Sequence, residues 1–388
     1  MHPDHSPIDS ALGDCDGYLI DADGTDSTQR YLSGFDAPDP FVTCYTPDGV
    51  SLLVSGLEYG RANTEAEAES VARLSAYDYR DRVGEVGRAE ARAAVVAEWL
   101  ADRGVSSVSV PERFPLGTAD GLREAGVAVR VDDSDAVTRT RAVKTSEEVD
   151  NVRRAQRANE RAIGTAEDLL ASASVVDGVL HHDGEPLTSE RVRRAIERTL
   201  LEEGCALDET IVACGADAAD PHDRGSGPLE ADEPVVVDVF PRDKETRYHA
   251  DTTRTFLKGE PSERVREWFD LTDEARRAAL DAVEPGVTGA AVHDAACDVY
   301  EDAGLPTLRS DPETATGFIH STGHGVGLDV HELPRIAPDG EELRPGNVIT
   351  IEPGLYDPEV GGIRIEDLVL VTEDGAENLT EYPVELTV

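Results

Sequence analysis

Lysine is almost missing from this 388-residue chain, with Lys144, Lys244 and Lys258 the only three among 36 cationic residues. Against those cations stand 80 Asp and Glu, for a formal net charge of −44. Phosphate binding needs a basic patch, and none is visible, so nucleic acid is not an expected partner. A chain of this charge repels itself in dilute salt. Screening to a Debye length of ~3 Å at 1 M removes most of that cost, so stability is expected to depend on salt. No run approaches the ~18 apolar residues of a membrane span. The start, Met1-His2-Pro3-Asp4-His5, lacks the basic and apolar regions of a secretory signal, and a cytoplasmic location is expected. The five cysteines, Cys15, Cys44, Cys205, Cys214 and Cys297, form no C-x-x-C pair. That spacing gives neither a zinc cage nor a disulfide framework, so buried or idle thiols are expected.

What is present points to two folded domains. The length exceeds what one core usually organises. The acids are interleaved with periodic apolar residues, unlike the blocks of a disordered acidic chain. Over 16–133, strand-like runs at 17–20, 41–45, 51–54 and 106–110 alternate with a helical stretch at 89–100, an α/β pattern without a catalytic cluster. A boundary is read near 139, giving domains 1–138 and 139–388. Thr145-Ser146-Glu147-Glu148 then opens a helix to about 171. Further helices are expected at 189–203, 261–283 and 288–304, with strands at 235–240, 250–258, 348–353 and 362–372. The second half is therefore α+β.

The acids in those strands carry the chemistry. Asp238 interrupts the apolar run 235–240, Glu352 stands within 348–353, and Glu366 within 363–368. A carboxylate in an apolar strand is costly unless it is paired or bound to a cation. Asp238 and Asp251 stand 13 positions apart across one turn, and Glu352 and Glu366 stand 14 apart across another. Two hairpins each delivering two carboxylates would share a cation economically. His320, His324 and His331 lie among Gly323, Gly325 and Gly327, whose lack of a side chain lets backbone approach a ligand. His181 and His182, in an expected loop, and His293, on an expected helix face, read instead as solvated; His249 is left open.

The run His320-x-x-x-His324-Gly-x-Gly-x-x-x-His331-Glu-x-Pro resembles the signature of the M24 metallopeptidases, which include methionine aminopeptidase, Xaa-Pro aminopeptidase and prolidase. Asp251-Thr-Thr-Arg254-Thr255-Phe256, Ile351-Glu352-Pro353-Gly354 and Gly362-Ile363-Arg364-Ile365-Glu366-Asp367 resemble that family too, in family order. The first half is similar, more loosely, to the creatinase/prolidase N-terminal domain. The resemblance implies an α/β domain followed by an α+β pita-bread catalytic domain. It implies that Asp238, Asp251, His324, Glu352 and Glu366 bind two divalent ions and that Glu352 also serves as general base. His331 and His222 would steady the tetrahedral intermediate, His320 would line the substrate site, and Arg364 would orient the metal carboxylates. The oxygen-rich donor set suits Mn²⁺ better than a zinc site built of Cys and His would, with Co²⁺ and Zn²⁺ also possible. Asp238 is followed by Val239-Phe240-Pro241 and a turn longer than the family's, expected to be absorbed at the hairpin tip.

The two-domain layout resembles the proline-specific branch, whose small peptide substrates are expected here. Arg335 matches an arginine that grips the free carboxylate of a dipeptide, which favours Xaa-Pro dipeptidase over Xaa-Pro aminopeptidase; a surface salt bridge is the other reading. A creatinase-like, non-peptidase hydrolase and a metal-free pita-bread binding module remain as alternatives. A homodimer is expected from the family and from the prevalence of two-fold oligomers. The acid-rich, lysine-poor composition is similar to that of proteins from halophiles.

Overall fold

Two strands buried on both faces, Gly17–Ala22 and Phe41–Thr46, form the middle of a six-stranded sheet in a computed structural model that describes residues 5–388. The chain divides into two compact units, one ending at Arg141 and the other running from Ala142 to Val388. In the first unit the strand order is Ser70–Arg73, Gly49–Val54, Phe41–Thr46, Gly17–Ala22, Ser107–Val110, Ala128–Val131. Successive residues of a strand face opposite sides. Leu19 accordingly packs with Val95, Trp99 and Leu100 of the helix Arg88–Ala101, while Tyr18 and Ile20 pack with Ile8, Leu12 and Val137.

The second unit carries two helix pairs, each lying on a sheet. Thr145 opens the helix Ser146–Ser172 with a reciprocal capping box: its hydroxyl accepts the Glu148 N–H at 3.3 Å, and Glu148 Oε2 accepts the Thr145 N–H at 2.7 Å. Val152, Ala155, Ala158, Ala162, Ile163, Ala166 and Leu170 form its buried stripe at helical spacing. With the helix Ser189–Glu202, that stripe covers the antiparallel strands Thr210–Cys214, Val235–Val239 and Thr252–Phe256. Each fully buried Val, Leu or Ile among them contributes roughly 1.5–3 kcal/mol. The helices Glu263–Asp281 and Gly289–Asp302 cover a second sheet, ordered Glu332–Ile336, Gly323–Gly325, Val348–Ile351, Asp367–Thr372, Gly375–Asn378.

Three expectations change here. The stretches 348–353 and 362–372 are not continuous strands. The ladder Val348–Ile351 with Asp367–Thr372 stops, and a separate ladder pairs Gly354–Asp357 with Gly361–Arg364. Pro353 has no N–H to give a ladder, and the N–H groups of Glu352 and Glu366 turn away to Thr322 O (2.8 Å) and Thr253 O (3.0 Å). His181 and His182 lie on the strand Val179–His182 and are half-buried. His293 is not solvated: at 3% exposure it sits between Thr322 Oγ1 (2.8 Å) and Cys297 Sγ (3.5 Å). All five thiols are free, with Cys44, Cys205 and Cys297 buried.

Candidate metal centre

The register of two hairpins brings the four acids together. Asp238 stands opposite Thr253 in the ladder of Val235–Val239 with Thr252–Phe256. Asp251, two residues before Thr253, therefore shares the face of Asp238. In the second hairpin both ladders keep one register, from Ile351↔Asp367 to Gly354↔Arg364. Glu352 thus falls opposite Glu366 at the corner where the strands change sheets. Like charges directly opposed destabilise a strand pair. His324 enters from the short strand Gly323–Gly325, held close by its glycines: a Cβ on Gly323 would lie 2.0 Å from Thr350 O, and one on Gly325 2.1 Å from Leu333 O.

Ligand atoms of Asp251, His324 and Glu366 all lie within 4.8 Å of one another. His324 Nε2 is 3.3 Å from Glu352 Oε1 and 3.8 Å from Asp251 Oδ2. Its Nδ1 lies 3.1 Å from Gly325 O, which leaves Nε2 for the centre. Arg364 is the one guanidinium facing this group among the described contacts: Nη2 donates to Asp238 Oδ2 (2.6 Å), Nη1 to Tyr356 Oη (2.9 Å), and Nε to Thr253 Oγ1 (3.2 Å). Thr253 in turn donates to Glu366 Oε2 at 2.9 Å.

The charges do not balance within the protein. Burial and then the charges of Glu366, Asp238 and Glu352 push the Asp251 carboxyl well above its usual range. Burial and then Glu352 and Asp238 do the same to Glu366. Burial alone would raise Glu352, but the hydrogen bond and charge of His324, with His320 and Arg364, bring it down to about 2. Burial opposes the charge on His324, and Glu352 overrides it and raises the imidazole. Asp238 Oδ1 is buried with no hydrogen-bond partner. An orphaned carboxylate oxygen beside mutually repelling acids is what a divalent cation satisfies, and the donor set fits a pair of them.

The other expected residues divide. His331 stacks edge-on against His324, with ring centroids 4.4 Å apart; partial burial of the imidazole and the charge of His324 hold its pKa down. His222 is exposed after the short helix Gly215–Ala219, near enough for its charge to be felt at both His320 and His331. His320 has both nitrogens engaged, Nδ1 with Ser321 O (2.7 Å) and Nε2 with Tyr356 Oη (2.9 Å); burial lowers its pKa to about 4. Arg335 is not drawn to the acids: its side chain is exposed and pairs with Asp339 at 2.8 Å. Sequence reasoning gave no role to Tyr356, which joins His320 to Arg364, or to Thr253, which joins Arg364 to Glu366. The recurrence of Asp251, Thr253 and Thr255 at the strand period was a usable signal for the latter.

Comparison with known proteins identifies the family. Residues 150–373 match Metallopeptidase family M24, and residues 12–143 match the Creatinase/Prolidase N-terminal domain. The chain is 31% identical over 343 residues to an Xaa-Pro dipeptidase of Pyrococcus furiosus, covering 87% of this chain and 86% of that one. Among solved structures it is similar to the prolidase from Pyrococcus horikoshii OT3, with TM-score 0.79, 26% identity and coverage of 98% and 99% of the two chains. It is also similar to the X-Pro aminopeptidase from Thermotoga maritima MSB8, with TM-score 0.80, 26% identity and coverage of 98% and 100%. With a creatinase/prolidase-type unit before a pita-bread catalytic unit, the chain belongs to the M24 family of metallopeptidases.

Proposed function

We propose that this metallopeptidase hydrolyses the Xaa-Pro bond of dipeptides, using two divalent ions held by Asp238, Asp251, His324, Glu352 and Glu366, with Mn²⁺ favoured by the oxygen-rich donors. The orphaned Asp238 Oδ1 beside the opposed Glu352 and Glu366 carries the metal reading. Such a pair of ions, when bound, supplies Lewis-acid activation of a water and of the scissile carbonyl. Glu352 takes the proton of the attacking water and returns it to the prolyl nitrogen, a secondary amine that leaves only when protonated. His331, neutral near pH 7 because its pKa is depressed, offers one N–H to the developing oxyanion from the open side; His222 serves the same rim. Arg364 holds Asp238 and, through Thr253, Glu366 in place.

Dipeptide selectivity rests on Arg335 as the grip for the substrate carboxylate. Its exposed pair with Asp339 is worth only ~0.2–1 kcal/mol, so releasing the guanidinium costs little. Xaa-Pro aminopeptidase is the second reading, supported by the likeness to the Thermotoga structure. No helix of the described residues is long and apolar enough to cross a membrane; a cytoplasmic homodimer completes the proposal. The test is cleavage of an Xaa-Pro dipeptide against an Xaa-Pro-Xaa tripeptide by the wild type and Arg335→Ala, in molar KCl with Mn²⁺. Dipeptide cleavage with KM raised selectively in the variant supports the dipeptidase. Preference for the tripeptide moves the activity to aminopeptidase, and silence on both with metal bound removes the substrate assignment.

A further inference from the structure

Behind Glu366, on the side away from the metal ligands, lies a buried arginine that the chemistry above does not use. Arg254, 2% exposed, spends all five of its N–H donors inside the protein. Nε donates to Pro383 O (2.9 Å). Nη1 donates to Thr253 O (2.9 Å) and to the backbone O of Glu366 (2.5 Å). Nη2 donates to Asp367 Oδ1 (2.8 Å) and Tyr382 O (2.7 Å). The second oxygen of Asp367 takes Arg276 Nη1 (2.5 Å) and Asn378 Nδ2 (2.8 Å). One guanidinium therefore joins three pieces of chain: the strand Thr252–Phe256, the corner at Glu366, and the segment 379–388.

The corner needs such a brace. At Glu366 the strand has left one ladder and not begun the next, so no sheet partner fixes it there. Its backbone is held instead by its N–H to Thr253 O and by Arg254 on its carbonyl. The segment 379–388 is fastened along the same strand, with Leu257 N–H to Leu386 O (2.7 Å) and Val388 N–H to Leu257 O (3.1 Å). A lysine, with three donors on a point charge, could keep the ion pair to Asp367 but not the fork across both backbones.

We propose that Arg254 is a positioning residue for the Glu366 corner, and that through it docking of the segment 379–388 and metal occupancy are coupled. This rests on the metal-binding reading of the preceding section. Partners that orient metal ligands typically contribute 10–100-fold in affinity. Linkage is reciprocal, so whatever factor docking of the segment adds to metal affinity, metal adds to docking.

Two measurements test it. Calorimetric Mn²⁺ titration of Arg254→Lys should show Kd raised about 10–100-fold, whereas Leu170→Ala, which thins the core under the helix Ser146–Ser172, should lower thermal stability and leave Kd unchanged. Hydrogen exchange on the wild type, which does not depend on any variant folding, should show the Leu379 and Val388 amides slowed by Mn²⁺ more than amides of the helix Ser189–Glu202. An unchanged Kd in Arg254→Lys, an equal rise in Leu170→Ala, or uniform slowing across the unit overturns the coupling while the metal reading stands. A wild type that binds no Mn²⁺ overturns both.

Discussion

Replacing Asp251 by asparagine should stabilise the metal-free protein and destabilise the metal-loaded one. Ligand oxygens of Asp251 and Glu366 lie within 4.8 Å, and two unit charges at that distance repel by about 3–4 kcal/mol at an effective dielectric of ~20. The metal-free protein avoids part of this by keeping a proton on the pair, since burial and neighbouring acids raise both carboxyls. A net gain of about 1–3 kcal/mol for the neutral amide follows, a fraction of the full repulsion. At roughly 2–4 °C per kcal/mol, the metal-free midpoint should rise by about 2–12 °C. The sign with pH is fixed. A carboxyl raised above its unfolded value contributes stability below the unfolded pKa and loses it as pH rises through the folded one. The advantage of Asp251→Asn should therefore grow as pH rises above the ordinary carboxylate range. With metal at 100 times Kd the wild type gains about 2.7 kcal/mol, which the variant forfeits with its ligand. Scanning calorimetry in EDTA and in Mn²⁺, at several pH values, reads all of this. A metal-free variant less stable than wild type, or one still stabilised by Mn²⁺ to the wild-type extent, would refute the reasoning.

Other outcomes follow from the same structure. Metal uptake should release protons, because Asp251, Glu366 and His324 hold theirs above their ordinary values until a cation displaces them; calorimetry in buffers of different ionisation enthalpy measures it, and a buffer-independent heat contradicts it. Lys144 and Glu332 form a pair 2.9 Å apart with side chains 1% and 2% exposed, so Lys144→Met should cost about 3–5 kcal/mol by removing the ammonium that balances the buried Glu332 charge, and Lys144→Met with Glu332→Leu should recover most of it in denaturant titrations. His331→Ala should lower kcat about 10²–10³-fold with Mn²⁺ affinity unchanged; loss of metal instead would recast it as a ligand. Thermal stability should rise between low and molar KCl as the −44 charge is screened, and a flat response would show that the surface charge is not felt as self-repulsion.

The helices and the cluster of buried acids were legible in the sequence for different reasons. The Thr145 cap and the alanine-rich stripe after it announce their helix locally, and the structure places it at Ser146–Ser172. The acids stood out because each interrupts an apolar run, a conflict that local pattern exposes. What the sequence hides is register. Glu352 and Glu366 read as mid-strand residues, yet they occupy a corner whose direction is set by Thr322 and Thr253, far away along the chain. The Arg254–Asp367 and Lys144–Glu332 pairs were invisible for the same reason, since a buried ion pair has no signature at either end. His293 misled because a lone polar residue on a helix reads as solvent-facing, and only the packing of Phe318 and Thr322 shows otherwise.

The most direct test is proline release from an Xaa-Pro dipeptide, measured against bound Mn²⁺ per chain after EDTA stripping and stepwise reloading. Activity absent in the stripped protein and restored as a second equivalent binds is the predicted result. Full activity without metal, or none with two ions bound per chain, would contradict the account.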